Sequence, residues 1–300
     1  MRIANIKNDY GFKLVFGANT KESNEVLRRM LSVFLEREVQ DVQLKNTELV
    51  KTNPDYKSPR LDLLVQFNDG HKVDVEMQLA STKNELCARF EYYLASLHSR
   101  QEDSGHDYDE LKETYGLVFS GRNLFDNEKR YYNTLQFRNE DNETSKGFKQ
   151  KLIFIELNKL EEKDVDQMNQ QERYMYYFNH CQLGLEDSKM KEMMDKDEDI
   201  RMMEDEVNKI NKDSWEEANQ MMDQLWEKEW EYKNAKIKEY HDTLEEGKKI
   251  GLSQGEKIGK QLGAIEKEKE NVRSLSQFLE PEKISEMLNI ELSKVKEYLG

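Results

Sequence analysis

Between Arg60 and Leu79, apolar side chains recur at every second position: Leu61, Leu63, Val65 and Phe67, then Val73, Val75, Met77 and Leu79. This period, with its β-branched residues, predicts two strands, and Asn68-Asp69-Gly70 between them predicts a hairpin. A three-residue loop with Gly70 at positive φ pairs Phe67 with His71, Leu64 with Asp74 and Asp62 with Glu76. Opposed residues share a face, with Cβ atoms about 4.5–5.5 Å apart. One face then carries Asp62, Glu76 and, two residues on, Gln78, while the other is continuously aliphatic. A two-residue loop would pair Asp62 with Met77 and split the acids between faces. Leu64, lying between the acids, implies that their face is partly covered by helix.

The flanking segments alternate between helical and extended patterns. Phe12, Val15 and Phe16 have helical spacing, Gly17 ends that turn, and Asp9 either caps it or reaches toward a metal, with capping the better local reading. Residues 22–36 form an amphipathic helix, with Val26, Met30, Val33 and Phe34 directed at the hairpin's sheet. A strand over 41–49 leads into NPDYKSPR, where Pro54 and Pro59 break regular structure. A second long helix spans 80–101, with Leu86, Phe90, Tyr93, Leu94 and Leu97 apolar, Arg89 and His98 beside them, and His98 read as a surface or helix-packing residue rather than a general base. TYGLVFS at 114–120 predicts a buried strand, and strands also follow over 131–137 and 151–157. Strands separated by helices indicate an α/β domain with a mixed sheet over residues 1–160.

The remainder reads as an all-α extension. Residues 161–245 contain no proline and one glycine, and their Met and Trp positions fit a helical packing stripe in an acidic region. Residues 246–272 carry Gly247, Gly251, Gly255, Gly259 and Gly263 at four-residue intervals. Each interior glycine costs a helix about 0.8–1.0 kcal/mol relative to alanine, so this is a flexible linker or a helix that closes on a partner. Residues 273–300 read as a small helical hairpin, with Pro281 opening its first helix and Asn289 closing it.

Charge sharpens the picture. Charged residues are 36% of the chain and hydrophobic residues also 36%, so much helix surface is solvated. Net charge is −15, with 22 basic against 25 acidic residues in 1–150 and 24 against 36 in 151–300. A net acidic chain is no footprint of a tight nucleic-acid binder, yet a metal-bridged contact needs only local basic residues, for which Lys13, Arg28, Arg29 and Lys57 are candidates. Two distant cysteines, Cys87 and Cys181, argue against zinc and disulfides and for a reducing cytoplasm. No signal peptide and no membrane-spanning run is expected. The paired acids repel unless neutralised, and hard oxygen ligands suit Mg²⁺ or Mn²⁺. A solvent-exposed polar face with Lys or Arg neighbours is the competing reading. Asp74 lies on the same face and rivals the other two as a ligand.

A strand Asp62, a turn at Gly70, and Glu76-Met77-Gln78 on the return strand resemble the active-site hairpin of PD-(D/E)XK nucleases. NDYGFKLVFG, RFEYYLASLHSRQ with Gly105, Tyr108 and Leu111, GLVFSGRNLF and KLIFIELNKL extend the likeness to the recombination-promoting nucleases, a transposase-like family of that superfamily. The resemblance covers about residues 5–160. It implies a restriction-endonuclease-like mixed sheet flanked by helices, followed by the all-α extension. It also implies a Mg²⁺-dependent (or Mn²⁺-dependent) DNA endonuclease that promotes recombination or mobile-element activity. Asp62 and Glu76 would hold the metal with a backbone carbonyl near Met77, Gln78 would orient water, and Asp9 would add a metal contact. Lys13 either meets the phosphate or packs structurally. Two departures stand out: Pro59 precedes Asp62 by three residues, and Gln78 holds the lysine's place, although Glu-x-Gln is this family's own pattern. The alternative is a catalytically silent binding or assembly protein acting through its C-terminal helices, which are also the expected site of any homo-oligomer.

Overall fold

The computed structural model describes residues 3–47, 61–79, 83–101, 107–125, 129–141, 143 and 147–300. The loop holding Pro54, Lys57 and Pro59, and the expected position of Gly105, lie outside the described residues. The chain begins with α1 (Asp9–Phe16) and α2 (Lys21–Phe34), followed by β1 (Gln43–Lys45), β2 (Leu63–Gln66) and β3 (Lys72–Gln78). Next come α3 (Lys83–Ser99), β4 (Thr114–Ser120), β5 (Tyr132–Leu135) and β6 (Gln150–Glu156). Helices α4 (Gln170–His180), α5 (Ser188–Lys196) and α6 (Glu198–Lys209) complete this part.

Among the described residues the strands form one six-stranded sheet in the order β1-β2-β3-β4-β6-β5. The pairs β3–β4 and β4–β6 are parallel, and β1–β2, β2–β3 and β5–β6 are antiparallel. The centre of the sheet is buried on both faces, which is why TYGLVFS is apolar almost throughout rather than alternating. On one face Val65, Val73, Val75, Leu117, Phe119 and Ile155 join the core with α1 and α2. On the other, Leu86, Phe90 and Leu94 of α3 pack on Val118, Leu152 and Phe154, and Leu97 packs with Leu61 and Leu64. Leu64 therefore does what the pattern implied, bringing a helix over the acidic face.

Two helix starts follow local chemistry. Thr20 and Ser23 form a reciprocal capping box at α2. At α1 the cap is Asn8, whose Oδ1 accepts from Tyr10 N at 3.0 Å, so Asp9 is the first helical residue and not the expected cap. Gly11 is required by close packing: a Cβ there would collide with the Asn5 carbonyl oxygen and lie 2.8 Å from Trp215 Cζ3.

The chain divides into compact units at Met1–Glu227 and Lys228–Gly300. The division expected after residue 160 does not appear in the packing. Tyr174, Phe178, Met190, Met193, Met203 and Trp215 are buried in the same core as the sheet. The Met-rich helices thus complete the first unit rather than hang from it, because their apolar stripes are what cover α1 and α2. Trp226 and Trp230, read with the same stripe, are 42% and 67% exposed. One helix, α7 (Lys212–Leu275), runs from the first unit into the second and includes all five spaced glycines. Nothing described lies within 4 Å of a Cβ built at any of the five. In the second unit, Val272 packs with Ile284 of α8 (Pro281–Leu288) and with Val295 and Tyr298 of α9 (Leu292–Leu299). Pro281 opens α8, and Asn289, at φ 53°, closes it. No described helix is long and apolar enough to cross a membrane.

Candidate active site

The β2–β3 turn sets the geometry of everything near it. Gly70 has φ 89°, Phe67 N donates to His71 O at 2.9 Å, and Gly70 N donates to Phe67 O at 3.0 Å. This is the three-residue loop, and it pairs Leu64 with Asp74. Asp62, just before β2, consequently lies against Glu76, and its backbone N donates to Glu76 Oε1 at 2.9 Å. In return, Met77 N donates to Asp62 Oδ2 at 3.2 Å. The two acids therefore lock the end of the hairpin through each other's backbone.

The surroundings are dry. Asp62, Asp74 and Glu76 are 7%, 2% and 2% exposed. Lys13 reaches over from α1, with Nζ 2.6 Å from Asp62 Oδ1. Burial, followed by the charges of Asp62 and Asp74, pushes the Glu76 carboxyl well above the ordinary range. Burial and then Asp62 do the same to Asp74. Asp9 is raised by burial and by Asp62, against the opposing pull of Lys13. Burial disfavours the charged Lys13 ammonium, but Asp62, Asp9 and Glu76 together outweigh it and raise its pKa. Asp9, Asp62, Asp74 and Glu76 thus share one lysine, and the raised acids respond by holding their protons more tightly.

The sequence-predicted residues come together unequally. Asp62, Glu76 and Lys13 are in contact or adjacent, and Asp9 is within electrostatic range of Asp62 and Lys13. Gln78 lies at the edge, with Nε2 3.4 Å from Glu76 Oε2, a long hydrogen bond. Arg28 and Arg29, considered for nucleic-acid contact, are engaged internally: Arg28 bonds Glu25 in bidentate fashion, and Arg29 bonds Glu25 and Asp199, all at 2.7 Å. His98 is a packing residue, with Nδ1 2.9 Å from Thr114 Oγ1.

Three residues carry more than the sequence pattern assigned to them. Asp74 is a third buried acid, and its Oδ1 finds no hydrogen-bond partner among the described residues. Arg89, on α3, influences Asp74 and Glu76 electrostatically. Glu156 is fully buried at the same end of the parallel strands, where Gln78 pairs with Ser120 and Ser120 with Glu156. The signal for Glu156 was a lone acid closing the apolar strand KLIFIEL, a position a strand seldom gives to an unpaired charge.

A family model for the PD-(D/E)XK nuclease family transposase matches residues 6–239. The chain belongs to this family. The match runs past the sheet and through α4, α5 and α6, in keeping with a core that includes those helices. The family's restriction-endonuclease-like architecture agrees with the mixed sheet flanked by helices and with the long helical region that follows. No curated protein and no solved structure matches the chain.

Family membership raises the question of a divalent metal. Among the described residues no group of three His, Cys, Asp or Glu side chains stands at metal-holding spacing. The donor chemistry nevertheless fits: buried carboxylate oxygens suit a hard cation, and the unmet Asp74 Oδ1 marks missing positive charge. Lys13, on Asp62 Oδ1, holds part of the place that a cation would take.

Proposed function

We propose that the chain is a metal-dependent deoxyribonuclease that hydrolyses phosphodiester bonds in DNA, in the service of recombination or mobile-element activity. The observation that carries this reading is the locking of Asp62 and Glu76 through reciprocal backbone hydrogen bonds in a buried cluster of acids.

Asp62 and Glu76 would hold Mg²⁺ or Mn²⁺, with Asp9 or Asp74 adding a further carboxylate, and the metal would make a bound water acidic and neutralise charge on the phosphate. The protein's own groups divide the rest. The Gln78 carboxamide both donates and accepts, so it orients a water, but it is no base at neutral pH. Lys13, ion-paired with Asp62 at 2.6 Å, would lend its remaining N–H groups to a phosphate oxygen beside the acids. Helix α3 excludes water from the inner side of the acids, which strengthens each of these interactions.

A nicking assay on supercoiled plasmid tests this reading. Cutting in Mg²⁺, absent in chelator and abolished in Asp62→Ala and in Glu76→Ala, is the expected result. No metal-dependent cutting at any salt concentration refutes it. One observation favours the second reading, a silent binding or assembly protein: Gln78 brings no charge to the position where a lysine would polarise water. In that reading the exposed C-terminal helices, as a surface for another copy of the chain, do the work. In either reading the proposed location is the cytoplasm.

A further inference from the structure

The charge that Gln78 lacks has a candidate source on α3. Arg89 lies on the helix that covers the acidic face, one residue before Phe90, and its guanidinium carbon is 4.9 Å from the Phe90 ring centroid and 6.0 Å from that of Tyr93. These rings restrict where the guanidinium can turn. Its Nε and Nη2 are shielded from solvent and have no hydrogen-bond partner among the described residues. Those two atoms are not an arbitrary pair. They form one side of the guanidinium fork, the side whose two parallel N–H groups match two oxygens of a carboxylate or phosphate. Arg28 uses the same side, Nε and Nη2, on Glu25 at 2.7 Å.

Asp74 offers the complementary vacancy, an unpartnered buried oxygen, within electrostatic range of Arg89. A buried guanidinium and a buried carboxylate that were free to meet would pair, since each is costly alone. Among the described residues neither Asp74 Oδ1 nor the Nε–Nη2 edge of Arg89 has a partner: the cluster's lysine is spent on Asp62, and the guanidinium edge has no anion at bonding distance. An ion pair consisting of a divalent cation and a phosphate oxyanion satisfies both at once.

We infer that Arg89 is the anion arm of this site, receiving two phosphate oxygens on its Nε–Nη2 edge while the carboxylates opposite hold the accompanying cation. This rests on the nuclease reading for its substrate, a phosphodiester of DNA. The anion chemistry itself is shared with free phosphate and small phosphate esters. Arg89 supplies from the helix the positive charge that the strand position of Gln78 does not, and it supplies a bidentate geometry that a lysine cannot.

The experiment uses the full chain and a short fluorescein-labelled DNA duplex in Ca²⁺, with anisotropy read across a salt series. A phosphate contact contributes about 0.9 to the slope of log K against log salt. Arg89→Gln is expected to lower the slope by about one and to weaken binding about tenfold or more. Arg89→Lys is expected to keep the slope, because the charge stays, and to lose affinity, because the fork is gone. In parallel, inorganic phosphate with Ca²⁺ should raise the thermal midpoint of the wild type and not that of Arg89→Gln. If the wild type binds and cuts duplex while Arg89→Gln keeps the full slope, Arg89 is merely structural and the inference falls. If Arg89→Gln does not fold, Arg89→Lys decides, and wild-type affinity in that variant overturns the inference. Phosphate protection that depends on Arg89, without duplex binding, leaves the anion arm standing and overturns the nuclease reading. If neither duplex nor phosphate engages the wild type, both fall.

Discussion

Replacing Glu156 with glutamine tests whether the end of the sheet beside Gln78 is held by a buried charge. Glu156 is 0% exposed. One carboxylate oxygen accepts from the backbone N–H of Leu124 and from that of Phe125, the latter at 3.1 Å. The other accepts from Asn133 Nδ2 at 2.9 Å and from Lys159 Nζ at 2.7 Å. Glutamine keeps the volume and one oxygen, so the Leu124 and Phe125 amides stay satisfied. Its amide N–H₂ then points at two donors, Asn133 and an ammonium that is only 9% exposed. Removing one member of a buried pair costs about 3–5 kcal/mol, and Lys159, although it keeps the Phe125 carbonyl oxygen at 2.8 Å, loses its carboxylate counter-charge. At roughly 2–4 °C per kcal/mol for a unit of this size, Glu156→Gln should lower the thermal midpoint by about 6–20 °C. Adding Lys159→Met removes the buried charge that lost its carboxylate and should recover most of that loss. Calorimetry on the single and double variants checks both statements. A single-variant loss below about 1 kcal/mol, or a double variant as unstable as the single, would refute the reasoning.

Three further outcomes are expected. The Glu25 carboxyl is pulled down to about 2 by its hydrogen bonds to Arg28 and then Arg29, so its contribution is complete above the ordinary carboxylate pKa and fades as pH falls toward 2; Glu25→Gln should remove about 1 kcal/mol of that acid-sensitive stability after solvent screening, as read from urea midpoints between pH 2 and 6. Gly11→Ala drives a methyl into the Asn5 carbonyl and Trp215 and should cost at least about 2 kcal/mol, whereas Gly255→Ala, in open space on α7, should gain about 0.8–1.0 kcal/mol, both measured by chemical denaturation. Gln78→Lys places an ammonium beside Glu76, favours its ionised form and should raise the neutral-pH nicking rate; complete loss of nicking with Mg²⁺ retained would show that the amide's acceptor oxygen is needed.

How much of this was legible in the sequence differs by element. The hairpin was, down to its register, because a strand period of two leaves no freedom once Asp69-Gly70 fixes the loop. The covering of the acidic face was legible from Leu64 alone. Three things escaped. The helix cap fell to Asn8 rather than Asp9 because both are good caps and only the neighbouring packing chooses: Asn8 Nδ2 also donates to Ala218 O at 2.9 Å, a contact more than two hundred residues away. The Met-rich helices pattern as a separate region because charged residues outnumber apolar ones between 161 and 245; buried Met190, Met193 and Met203 show that a narrow stripe is enough when the facing helices supply the rest of the core. The pairing of Glu156 with Lys159 was hidden by the apolar run before it, where alternation puts hydrophobic residues on both faces and the single acid looks like a strand end. Within the site, Asp62, Glu76 and Lys13 were found by type and spacing, whereas Arg89 stands out only once its unused donors are located.

The contact between Gly11 and Trp215 sets a lower limit on how far this molecule can be trimmed. Topology alone points to a cut after the last sheet strand or after α6. Either cut would remove the indole that lies over Gly11 and the Asn219 side chain that donates to Ile3 O at 3.0 Å, leaving α1 with a hole beneath it. Losing a buried Trp side chain costs on the order of 3–5 kcal/mol, much of the margin of an ordinary domain. Because α1 also carries Lys13, a fragment ended too early would forfeit the alignment of its acidic cluster along with its stability. The smallest autonomous piece must therefore extend through the first turns of α7, past Asn219.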